Sequence, residues 1–334
     1  MNNFLSLVSG RKGEVQTAIA LILTVLLSRI QPFDERSFEL GVLRIRTFEG
    51  IGLVLGVVLL AAGGWMLNIV FQTQRPAGTR NALYFLSYVL FTLSVSDAQN
   101  LLAAASLGFV FALSVSSMHQ ATFQKRPETL VAVSGFLLAL LIVFFPPAYP
   151  WLLILSLLLV LAEEFSLRML GVFLVGVLLV PYFWFSYTWL FSKPFLFVGW
   201  TGLMPWDGHE FVVSFAPVTW VFGVGVLPVF VGIVITLMNR PSRTRISRST
   251  QRQMGVLLVA GLCLLILAYI GSIPLSPGSQ LIFLLPATTY LAARGLERLS
   301  NMPYGDLFMW VWMALVCGGA EWLNRWVFSS FLPL

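Results

Sequence analysis

Charge is what this chain has least of. Only 10% of its 334 residues are Asp, Glu, Lys or Arg, and 58% are hydrophobic, whereas about a quarter of a globular chain is usually charged. So little charge cannot cover the apolar surface of a water-soluble fold, which leaves lipid as the solvent. The mean hydropathy of +0.88 agrees. No polar stretch is long enough to fold as a separate soluble domain, so residues 1–334 are expected to form a single integral membrane domain.

Cysteine is almost absent. Cys263 and Cys317 lie in apolar runs, offer neither metal spacing nor a disulfide framework, and read as small packing residues. The sequence has no GxxxxGKS/T, HExxH, CxxC or GxSxG pattern, so the nucleotide, zinc-hydrolase, dithiol and serine-nucleophile signatures are missing. The net charge of +6 and pI near 9.6 come largely from short loops between apolar runs, which argues against a nucleic-acid partner.

What the chain does have is apolar runs punctuated by arginine. Asn239 to Gln253 carries Arg240, Arg243, Arg245, Arg248 and Arg252 and no acid, between the apolar runs Val218 to Met238 and Met254 to Ile270. Basic residues at span ends are retained on the cytoplasmic side, so this stretch is expected to be an inside loop, touching anionic lipid headgroups. Counting spans of roughly 20 residues outward from it gives an all-α polytopic membrane helix bundle of eleven spans, N-terminus in and C-terminus out.

Span 1, Val15 to Ile30, follows Arg11 and Lys12 and reads as an uncleaved anchor. The loop Gln31 to Arg46 lies outside, and span 2 covers Thr47 to Phe71. Spans 3 and 4, Asn81 to Ser96 and Leu101 to Ser117, form a hairpin of two short helices around an outside turn at Asp97. His119 and Lys125 fall in the next inside loop. Span 5 is Leu130 to Phe145, span 6 runs from Trp151 to near Glu163, Glu164 and Arg168, and span 7 is Met169 to Phe191. Its Tyr182 to Trp189 aromatics suit the membrane interface. Ser192 to Pro217 lies outside, and span 8 follows. Span 9 is Met254 to Ile270, and span 10, Gln280 to Ala293, returns to an inside loop with Arg294, Glu297 and Arg298. Span 11 is Leu307 to Phe328.

Leu67-Asn68, the run Asn81-Ala82-Leu83-Tyr84, and Arg168, Gly171, Gly176 and Pro181-Tyr182-Phe183 together resemble a family of uncharacterised multi-pass inner-membrane proteins of Bacteroidota. The resemblance covers a third to a half of the chain. It implies a protein of a Gram-negative inner membrane and carries over no catalytic residue.

Chemistry has few places to sit. Asp34 and Glu35 follow span 1, and Asp97 stands in the next outside turn. That layout resembles lipid-dependent glycosyltransferases of the GT-C fold, in which a carboxylate acts as base or holds a divalent cation against a departing phosphate. The first outside loop is shorter than that fold usually has. The plainer reading pairs Asp34 and Glu35 with Arg36 or Arg44 at the surface. His209, in Trp206-Asp207-Gly208-His209-Glu210, reads either as a general acid/base or as part of an Asp-Gly turn anchored by tryptophan. Glu321 and Arg325, four apart, read as a structural ion pair. His119 and His209 fall on opposite sides, so no metal site is expected, and a divalent cation enters only with the glycosyltransferase-like reading.

Three functions stay open. One is an enzyme acting on a polyprenyl-type, lipid-linked envelope substrate at the periplasmic face. Another is a non-catalytic subunit or scaffold of an envelope assembly or secretion complex. The third is a transporter or lipid flippase. The expected partners are membrane lipid and other envelope membrane proteins.

Overall fold

The structure is a computed structural model. It describes residues 35–40, 43–72, 82–95, 101–121, 127–145, 148–161, 167–191, 229–234, 245–269 and 277–300, with Tyr304 and Leu307. Apart from one hairpin, the described elements are helical. They are β1 (Glu35–Leu40), β2 (Leu43–Phe48), α1 (Glu49–Gln72), α2 (Leu83–Val95), α3 (Leu101–Ala121), α4 (Glu128–Phe144), α5 (Pro150–Leu161), α6 (Leu167–Leu190), α7 (Arg245–Tyr269) and α8 (Pro277–Ser300). Residues 229–234 are also helical. Among the described residues, four stretches are long and apolar enough to cross a membrane: Val54–Gln72, Leu102–Ala121, Leu167–Leu190 and Thr250–Leu267.

The helices follow the apolar runs, and their ends follow local chemistry. Glu128 sits in the first turn of α4, where the helix dipole favours a carboxylate. At its other end the Phe145 N–H donates to Leu141 O at 2.7 Å, and Pro146-Pro147 cannot continue the ladder. Pro181 and Pro286 lie inside α6 and α8. Helix neighbours and local adjustment make such prolines tolerable in membrane helices.

Helix α3 is central, packing against α1, α4 and α8, while α2 packs on α1 and α8. α4 and α6 form the closest pair. A side chain at Gly135 would strike the Phe173 carbonyl, and one at Gly176 would strike the Ala132 carbonyl. Each helix thus needs glycine where it meets the other's backbone, the small-residue solution to packing in lipid. The two run in the same direction. The Glu128 carboxylate meets the Arg168 guanidinium at 3.5 Å where both begin, and α5 is the return between them. Ser114 Oγ donates to Ser134 O at 2.9 Å, tying α3 to α4.

Several expectations change here. The basic stretch is not a loop throughout: from Arg245 onward it is the start of α7. Arg294, Glu297 and Arg298 likewise continue α8 to Ser300. In both cases the helical period runs on past the apolar segment, giving two-faced ends, and α7 and α8 are the two most amphipathic helices described. α3 reaches Ala121, so it is long enough to cross, and His119 belongs to it. α2 is short, with 13 residues. The stretch Gln31 to Arg46, expected as an outside loop, holds most of a β-hairpin, with Phe38 opposite Ile45 and Glu39 opposite Arg44. Arg44 therefore stands across from Glu39, and Glu35 across from Phe48. Cys263 is exposed rather than packed. Arg168 takes Glu128 as its partner.

Candidate functional site

Of the acids singled out in the sequence, Glu35 alone lies among the described residues, at the start of β1. β1 touches α3, the helix that begins four residues after Asp97. Asp34, Asp97, His209, Glu321, Arg325, Arg240 and Arg243 lie outside the described residues. Arg245, Arg248 and Arg252 recur along α7 at spacings of three and four, which keeps positions on one side of a helix. Arg252 is exposed. The opposite side of the same turns carries Thr250, Gln253 and Leu257, all buried.

That buried side builds a polar cluster the sequence reading missed. Gln253 and Thr250 meet His119, which is 2% exposed near the end of α3. The His119 Nδ1 lies 2.8 Å from Gln253 Oε1. An amide oxygen can only accept, so Nδ1 donates to it. Thr250 Oγ1 approaches Nε2 at 3.5 Å, too long to be a strong bond. One turn of α1 adds Asn68 and Gln72, both buried, with Gln72 Nε2 donating to Asn68 Oδ1 at 2.9 Å.

Aromatic rings close the cluster. Phe71 lies between His119, Tyr84 and Tyr290, with ring centroids at 5.8, 5.3 and 5.3 Å. Tyr84 stacks on Tyr290 at 6.2 Å. Five elements therefore converge: the end of α1, the starts of α2 and α7, the end of α3, and the middle of α8. The start of α7 that enters this cluster carries Arg245, Arg248 and Arg252. The polar cluster thus lies at the arginine-bearing end of the bundle.

Chemically, the cluster is a set of hydrogen-bonding groups with no carboxylate, Lys or Arg among them. Among the described residues, no three His, Cys, Asp or Glu side chains come together. The sequence did hold a signal for it. Ser116 and His119 on α3, and Thr250 and Gln253 on α7, are polar pairs three apart, each beside apolar residues at helical spacing. The arginines interleaved with Thr250 and Gln253 hid the second pair.

The fold and this cluster define a class: a helical protein with helices built to cross a membrane and a polar interior at one end. No family model, curated protein or solved structure matches the chain.

Proposed function

We propose that the chain is a multi-pass protein of the bacterial inner membrane that acts in cell-envelope biogenesis on a lipid-linked, polyprenyl-type substrate at the periplasmic face. The topology in this reading has eleven spans, with the arginine-bearing end in the cytoplasm. Its support is the meeting of the ends of α1 and α3 and the start of α2 with the arginine-bearing start of α7, together with the common direction of α4 and α6. The observation that carries the site is the contact of β1 with α3. It supports a site in which the strand that begins at Glu35 approaches the helix that follows Asp97 in sequence. Two acids held close to a phosphate need a cation or a base partner, and Arg36 and Arg44 are the nearest in sequence.

The test is substitution within the membrane. Glu35→Gln and Asp97→Asn should each abolish transfer from a radiolabelled polyprenyl-phosphate sugar in everted and right-side-out vesicles, with insertion unchanged. Retention of full envelope function by both variants would sink the enzyme reading. It would favour the second reading, a non-catalytic subunit of an envelope complex. That reading draws on α6, whose outer half exposes Tyr182, Phe183, Phe185, Tyr187 and Trp189.

A further inference from the structure

Five buried side-chain atoms have no hydrogen-bond partner among the described residues: Ser87 Oγ, Tyr88 Oη, Ser116 Oγ, Gln253 Nε2 and Thr289 Oγ1. An orphaned polar atom in an apolar interior is costly, and a bundle normally leaves few of them. These five are not scattered. Gln253 is part of the His119 cluster. Ser116 precedes His119 by three residues on α3, Ser87 follows Tyr84 by three on α2, and Thr289 adjoins Tyr290 on α8. Tyr88 lies one turn beyond Tyr84, toward the middle of the bundle. Its hydroxyl fits a slot left by two glycines, where a Cβ on Gly63 or on Gly108 would stand 2.9 Å from Tyr88 Oη.

The helix directions put these groups in sequence. Leu285 and Ile282 of α8 adjoin Gly108 of α3, and Tyr290 lies at the level of Phe71 and His119. Passing inward from Gln253 and His119, the chain presents Ser116, Thr289 and Ser87, and then Tyr88. Water needs two to four polar partners in a buried site, and a run of hydroxyls and one amide N–H supplies donors and acceptors in turn. No carboxylate, Lys or Arg is part of the run, which fits an uncharged occupant.

We propose that these atoms line an internal water path that enters beside Gln253 and His119, at the arginine-bearing end, and stops at Tyr88 in mid-bundle. The path ends blind there, because the Tyr88 ring fills the slot left by Gly63 and Gly108. It is independent of any chemistry at Glu35 or Asp97.

Cysteine reactivity tests it, since thiolate forms in water and a thiol in dry packing is inert. The full-length chain, with Cys263 and Cys317 replaced by serine, would carry Ser87→Cys, Ser116→Cys or Thr289→Cys one at a time. Membrane vesicles would be treated with N-ethylmaleimide, which is membrane-permeant, so the result does not depend on orientation. Ala112→Cys serves as the dry control, one turn before Ser116 on α3 and fully buried. Labelling of at least two of the three positions should be about tenfold faster than at the control. Rates at all three as slow as at Ala112→Cys would overturn the path. A second measurement covers variants that fail to fold. Thr289→Val keeps the shape and deletes the hydroxyl, so it should lower the Tm in detergent if that hydroxyl is hydrated. A Tm unchanged or raised would show that Thr289 Oγ1 has no water to lose, and would equally overturn the proposal.

Discussion

Two regions of the bundle are held together by different means. At one, Phe111, Phe145, Trp151 and Phe283 bring α3, α5, α8 and the end of α4 into a ring cluster with centroids 5.1 to 6.0 Å apart. At the other, His119, Gln253, Thr250, Asn68 and Gln72 sit among Phe71, Tyr84 and Tyr290. Lipid tails are as apolar as the side chains they replace, so apolar contact in a membrane gains from close fit rather than from escape from water. The ring cluster is therefore a matter of shape. The polar cluster adds direction, because a hydrogen bond fixes which turn of α7 faces which turn of α3.

Three substitutions sharpen this contrast, and the largest effect belongs to the dry region. Trp151→Ala should lower stability by about 3–5 kcal/mol, since the rings around it cannot collapse into the space. Thermal unfolding in detergent would measure it, and a loss under about 1 kcal/mol would mean that the ring cluster is loosely packed. His119→Ala should cost less, about 1–3 kcal/mol, largely by stranding Gln253 Oε1. Its signature is coupling. In a double-mutant cycle with Gln253→Ala the two losses should not add, and simple additivity would show that the 2.8 Å bond contributes nothing. Glu128→Gln lies at the rim and should change stability by no more than about 0.5 kcal/mol, because exposed ion pairs are weak. Arg168 is 76% exposed. A larger loss would mean that this pair, and not the glycine contact above it, holds α4 to α6.

Much of the helical frame was legible in the sequence. The apolar runs Thr47 to Phe71 and Met169 to Phe191 correspond to α1 and α6 with ends displaced by a few residues. In both, hydropathy alone separates helix from connection. It fails where a helix leaves the apolar zone. The first turns of α7 alternate Arg245, Arg248 and Arg252 with Thr250 and Gln253, and averaged over a window they look like a polar loop. Only the three-and-four spacing shows two faces. The same averaging put His119 in a loop, although Ser116 and Met118 before it are buried with it. The acids chosen as candidate catalysts stood out for the opposite reason. They are charges in a chain with few, whereas the cluster that does assemble among the described residues holds no carboxylate, Lys or Arg, and its members became visible as a group only when five helices were brought together.

The reciprocal glycines of α4 and α6 bear on how the protein is made. Helices that run the same way cannot be neighbours in a nascent chain, because a return helix must be threaded between them. Until α6 is present, the notch at Gly135 has no backbone to meet. It closes only once α6 packs beside it. The pair therefore acts as a late latch on assembly, and a bulky residue at Gly135 or Gly176 would leave each helix correctly inserted and the bundle unlatched.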